Sequence, residues 1–184
     1  MTTKSADFEH LALPRATWDD LRFPATAINP PGQVSDPDWD TTKGGWLFAS
    51  SGTEMLHVIA QLPHSWAEGT ELRPHLHWEK TTSAAGNVYW NLSYQISSIG
   101  QARDAAVDLG AYIPAVASDT ADVHQLTPFA AIDMTDKTLS CIIIMQLSRV
   151  AGNANDTYGA DARLLEFDFH YQSDHAGSSA EYIK

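Results

Sequence analysis

Two histidines spaced two apart, with an arginine before them and a glutamate after, are the residues best placed to do chemistry: Arg73-x-His75-x-His77-x-Glu79. Successive side chains of an extended strand point to opposite faces, so these four share one face. Two imidazoles and a carboxylate held in that way form a donor set for a transition metal. A second stretch has the same period of two, Glu166-x-Asp168-x-His170. If the two strands pair, Arg73 and the histidines meet these carboxylates in one of two ways. One is a cross-strand ladder, worth about 0.2–1 kcal/mol per pair. The other is a His/carboxylate metal site. Asp36-x-Asp38-x-Asp40 has the opening spacing of a calcium loop. Thr41 stands where that loop needs glycine and Leu47 where it needs a bidentate glutamate, which leaves an acidic turn. His10, His57, His64 and His175 have no ligand spacing. Phosphate-binding glycine loops, the Gly-x-Ser-x-Gly elbow and His-Glu-x-x-His are all missing from the chain.

The stretch from Gly69 through His75, His77 and Glu79 to Gly86 resembles the first motif of cupins, in which two histidines and a downstream glutamate hold a metal inside a jelly roll. Glu79 follows His77 too closely for that motif, and the second cupin motif is not visible. His124 or His170 would have to supply the missing imidazole. On this spacing neither a transition metal nor any other cofactor is expected. Were one held, its ligands would come from His75, His77, Glu79 and His170.

The elements that must position these residues read as strands. Leu56, Val58, Ala60 and Leu62 alternate through Glu54–Leu62, and Leu72, Pro74, Leu76 and Trp78 through Thr70–Lys80. Trp90, Leu92, Tyr94 and Ile96 do so in Val88–Ile96, and Leu165, Phe167, Phe169 and Tyr171 in Arg163–Tyr171. Leu139–Leu147 is apolar on both faces at Ile142–Ile144, as a central strand is. Weaker strands are expected at Trp46–Ser50, Ala111–Ala117 and Asp122–Met134, with turn clusters between them. Eight antiparallel strands without a long helix predict an all-β, jelly-roll-type sandwich over residues 45–184. An immunoglobulin-type sandwich is the alternative, but its Cys…Trp…Cys signature is absent.

Residues 1–44 hold five of the nine prolines, among them Pro24, Pro30, Pro31 and Pro37, together with Trp18, Phe23, Ile28 and Trp39. Proline opposes both helix and central strand, yet so many large apolar groups will not stay in water. The expectation is an extended N-terminal arm packed on its own body or a neighbour's, with one short helical turn over Ala16–Phe23 capped by Thr17. An arm of this kind is expected to serve assembly, so a chain lacking residues 1–40 should keep a folded body but lose its partners.

Composition narrows the partners. The chain has 184 residues and a formal net charge of −12, with a pI near 4.8, the reverse of what nucleic-acid phosphates demand. No apolar run approaches the roughly 18 residues of a membrane span. The first residues lack an apolar signal core, so synthesis and retention in a cytoplasm are expected. Cys141 is alone, which excludes an internal disulfide.

Three stretches resemble segments of small structural proteins of tailed bacteriophages: Trp18–Gly32, Gly69–Glu79 and Leu164–Gln172. The similarity runs from about Trp18 to the C-terminus. It implies a non-enzymatic virion component, made in the host cytoplasm: a capsid decoration or cement protein, or else a tail, neck or receptor-binding module. The partners implied are further copies of the chain in a symmetric oligomer, a trimer being favoured, and the major capsid protein or other virion proteins. Neither nucleic acid nor membrane is among them. Trp18, Phe23, Ile28, Trp39, Arg73, His75, His77, Glu166 and Asp168 are expected at the interface. From another class, a cupin-like metal-dependent enzyme using His75 and His77 is the alternative.

Overall fold

Each alternating segment can satisfy its backbone and bury its apolar face only by pairing with others, and the structure, a computed structural model, shows how they pair. It describes residues 17–110, 118–174, 176–178 and 180–181. The strand expected at Ala111–Ala117, together with His10 and His175, lies outside them.

Ten strands stand among the described residues, where eight were expected: β1 Thr17–Pro24, β2 Asp38–Trp39, β3 Trp46–Phe48, β4 Thr53–Gln61, β5 Arg73–Lys80, β6 Trp90–Ser97, β7 Val107–Asp108, β8 Gln125–Pro128, β9 Ile142–Val150 and β10 Ala162–Ser173. They form two antiparallel sheets in a jelly-roll-like sandwich. One runs β4-β9-β6-β7; the other runs β2-β3-β10-β5-β8, with β1 also paired to β10. Leu56, Trp90, Leu92, Ile143 and Leu147 of the first sheet and Leu76, Trp78, Phe167 and Phe169 of the second are fully buried in one core. The Trp90 ring meets Phe48 edge-on at 5.0 Å and Trp78 at 5.8 Å.

Two local expectations change. Thr17–Pro24 is a strand, not a helical turn. Leu21 and Phe23 alternate with Asp20 and Arg22, and β10 offers an unpaired edge from Glu166 to Ser173 that accepts all eight residues. The second change is a β-bulge between Leu164 and Glu166. It shifts the inward phase of β10, so Ala162 and Leu164 enter the core before it, and Phe167, Phe169 and Tyr171 after it. Leu165, expected inside with Phe167, is left half-buried at the bulge. Gly45 packs against the same strand. At φ +95° it lies so close to the Leu164 carbonyl that a Cβ would stand 2.5 Å from the oxygen.

Candidate functional site

The outer face of the second sheet gathers the residues that the sequence marked. Across β1, β10, β5 and β8 the register forms rows: Asp20, His170 and Arg73; then Arg22, Asp168, His75 and Pro128; then Pro24, Glu166, His77 and Leu126. The expected pairing of the His strand with the carboxylate strand is therefore present. His170 Nε2 lies 3.0 Å from Asp20 Oδ1, and Arg22 holds Glu166 through Nε at 2.5 Å and Nη2 at 2.7 Å. The Arg73 guanidinium lies over the Trp18 ring at 4.5 Å.

Asp168 is the centre of this face. Its side chain is 5% exposed, and both imidazoles turn their Nε2 atoms toward it: His75 at 2.5 Å from Oδ1 and His77 at 3.3 Å from Oδ2. The outer nitrogens have partners of their own. His75 Nδ1 lies 3.3 Å from the Arg73 carbonyl, and His77 Nδ1 lies 2.6 Å from His124 Nε2. Burial works to lower the His75 imidazole, but the Asp168 carboxylate outweighs it and holds His75 above the ordinary 6.5. Burial lowers His77 as well, and there the neighbouring His75 and His124 reinforce it against Asp168, so His77 sits below 6.5. Beside the cluster opens a concavity of about 350 Å³ lined by Asp20, Arg22, His77, His124, Leu165, Glu166 and Asp168.

Glu79 does not join them. It binds Arg163, the residue opposite it on β10, and the same buried guanidinium takes Asp40 at 2.7 Å and Asp122 at 3.0 Å. Asp122 is held below the ordinary 3.8 by Lys43 and then by Arg163. Asp40 is held below it by the Lys43 and Thr42 backbone N–H groups and by Arg163. A depressed carboxyl contributes stability above its unfolded pKa and loses it as pH falls through the folded one. Asp40→Asn and Asp122→Asn are therefore expected to lower stability at neutral pH, with a deficit that shrinks as pH falls below about 4 toward the depressed folded values. Urea unfolding at both pH values reads this, and a deficit that grows on acidification refutes it.

The Asp36–Asp40 turn is likewise committed internally. Asp36 Oδ2 accepts the Gly32 and Gln33 N–H groups at 2.7 Å, and Asp40 Oδ1 accepts those of Thr42 and Lys43.

The residues expected at an interface divide. Trp18 and Arg73 are exposed, while Glu166 and His77 are half-buried. Ile28 is 1% exposed within the chain's own core, Phe23 packs against Phe167 and Phe169, and Trp39 meets Trp46 edge-on at 5.0 Å. Ile28 is thus corrected from interface to core, because the 3-10 turn Ala25–Ala27 bends the chain inward there. His75 and Asp168 are also buried, each by the other and by the strands beside them. Asp20 and Arg22 also belong to this face, and their signal in the sequence is Leu21 and Phe23 at a spacing of two ahead of Pro24. His75 and His77 point away from the core-facing Leu76 and Trp78, so they do not lie between the sheets as cupin ligands do.

No protein-family model matches the chain, and no curated protein matches it either. Among solved structures it is similar to TmCBM61, a carbohydrate-binding module seen in complex with β-1,4-galactotriose, at 10% identity. The alignment covers 85% of this chain and 88% of that one, with a TM-score of 0.33.

Proposed function

We propose that the chain is a non-enzymatic structural subunit of a bacteriophage particle, a capsid decoration or cement protein acting as a symmetric oligomer, with a trimer favoured. One observation supports the reading most. The three stretches that resemble phage structural proteins are scattered in sequence, yet their strands β1, β10 and β5 lie side by side in one sheet. Their outward residues share one surface, from Trp18 and Arg22 through Glu166 to Arg73 and His77. Exposed apolar groups flank it, Trp18 at 44% and Leu126 at 48%, as an interface with a polar rim requires. Among the described residues β1 pairs only with β10, and its other edge offers backbone groups that another subunit can pair with.

The test is immunogold electron microscopy of intact particles with antibody raised against the chain, together with light scattering of the purified protein. Gold on the head and a trimer in solution are expected. Gold on tail or neck moves the protein to the tail, neck or receptor-binding reading, and a monomer absent from particles refutes a virion role.

A further inference from the structure

We propose that His75, His77 and Asp168 form a binding site for a divalent transition ion of the zinc class, tying β5 to β10. The inference stands on these three side chains and does not depend on the virion reading. Their ligand atoms all lie within 4.8 Å of one another. The site draws its carboxylate from Asp168 on the partner strand, which removes the objection that the Glu79 spacing raised.

Asp168 is 4% exposed, and its carboxylate faces both imidazoles. The nitrogen nearest to it is His75 Nε2, at an ion-pair distance of 2.5 Å. A cation held by this carboxylate and both imidazoles would replace that pairing, with the imidazoles neutral. Two zinc bonds of about 2.0–2.1 Å meeting at a tetrahedral angle place their donor atoms about 3.3 Å apart. His77 Nε2 and Asp168 Oδ2 stand at 3.3 Å. His75 reaches the same spacing by withdrawing less than about 1 Å. The outer shell also fits. Metal-bound imidazoles place their second nitrogen against a carbonyl, a carboxylate or another polar group, and here His75 Nδ1 faces the Arg73 carbonyl and His77 Nδ1 faces His124. Two imidazoles with one carboxylate select zinc, nickel, cobalt or copper over the oxygen-seeking calcium and magnesium. The concavity lined by Asp20, Arg22, His124 and Glu166 gives an entry path and room for a water as fourth ligand.

The experiment uses the untagged full chain, stripped with chelator and titrated calorimetrically with Zn²⁺ alone, with the visible spectrum of Co²⁺ as second readout. The expected result is one ion per chain, a tetrahedral Co²⁺ spectrum and a higher unfolding temperature with Zn²⁺. Asp168→Asn and His77→Gln should each weaken binding by about 100-fold or more, and His124→Ala by about 10–100-fold. His57→Gln, on the opposite sheet, should leave it unchanged. Should Asp168→Asn fail to fold, His77→Gln decides, since that side chain is 22% exposed at the rim. Absence of saturable uptake overturns the site, with a proton then filling the gap beside Oδ1. Uptake that His77→Gln leaves intact overturns it as well.

Discussion

Arg149→Ala is expected to cost about 3–5 kcal/mol, a large share of the roughly 5–15 kcal/mol that holds a domain of this size together. The side chain is 0% exposed and Asp156 2%. Nε and Nη2 fork onto the two Asp156 oxygens at 2.9 and 2.8 Å. Nη1 donates to the Phe48 and Ala160 carbonyls and Nη2 to that of Tyr158. Truncation strands a buried carboxylate and three carbonyls, two of them buried, and the loss follows from what is left unpaired rather than from the worth of the pair. Asp156 keeps only the Tyr89 N–H at 2.9 Å. Arg149→Lys keeps the charge without the planar fork, so it should recover a minority of the loss. The guanidinium ties the end of β9 to β3 and to the loop that leads into β10, the strand carrying Asp168. Chemical denaturation monitored by tryptophan fluorescence reads the effect. A loss under about 1 kcal/mol means that water reaches the site and the carboxylate is never stranded.

How much of this was readable beforehand differs by element. The alternation of Leu56, Val58 and Ala60 or of Trp90, Leu92 and Tyr94 reports a half-buried strand whatever its neighbours, so the sandwich and its core were legible. The shared face of His75 and His77 was legible for the same reason. Their closure on Asp168 was only conditional, since it needs β5 beside β10 in one register, and pairing between strands distant in sequence is a tertiary outcome. The bulge beside Leu165 has no signature in the strand itself. Glu79 looked like a candidate ligand because its spacing was visible and its partner Arg163 was not. Buried Lys80, which meets Asp119 at 2.7 Å, was hidden likewise, because its acceptors come from loops.

The N-terminal segment is where the structure most changes the expectation, and a chain lacking residues 1–40 is now expected to lose its cooperative fold rather than its partners alone. Residues 17–40 touch both sheets. β1 pairs along eight residues of β10, and the Asn29 carbonyl accepts the His57 N–H of β4 at 3.2 Å. Ile28 is a fully buried core residue, and loss of such a side chain alone costs about 2–5 kcal/mol. Phe23 leaves Phe167 and Phe169 uncovered when it goes. Trp46 Nε1 loses both of its acceptors, the Ala25 and Ile28 carbonyls, and Arg163 loses Asp40. Together these losses reach the size of the whole stability of a domain. Ile28→Ala in the full chain isolates the core contribution, and a drop of about 2–5 kcal/mol is expected in urea unfolding. Circular dichroism and thermal melting of the truncated chain decide the larger question. If it melts cooperatively with stability within about 1 kcal/mol of the full chain, the segment is a surface flap and the burial of Ile28 contributes nothing to the fold.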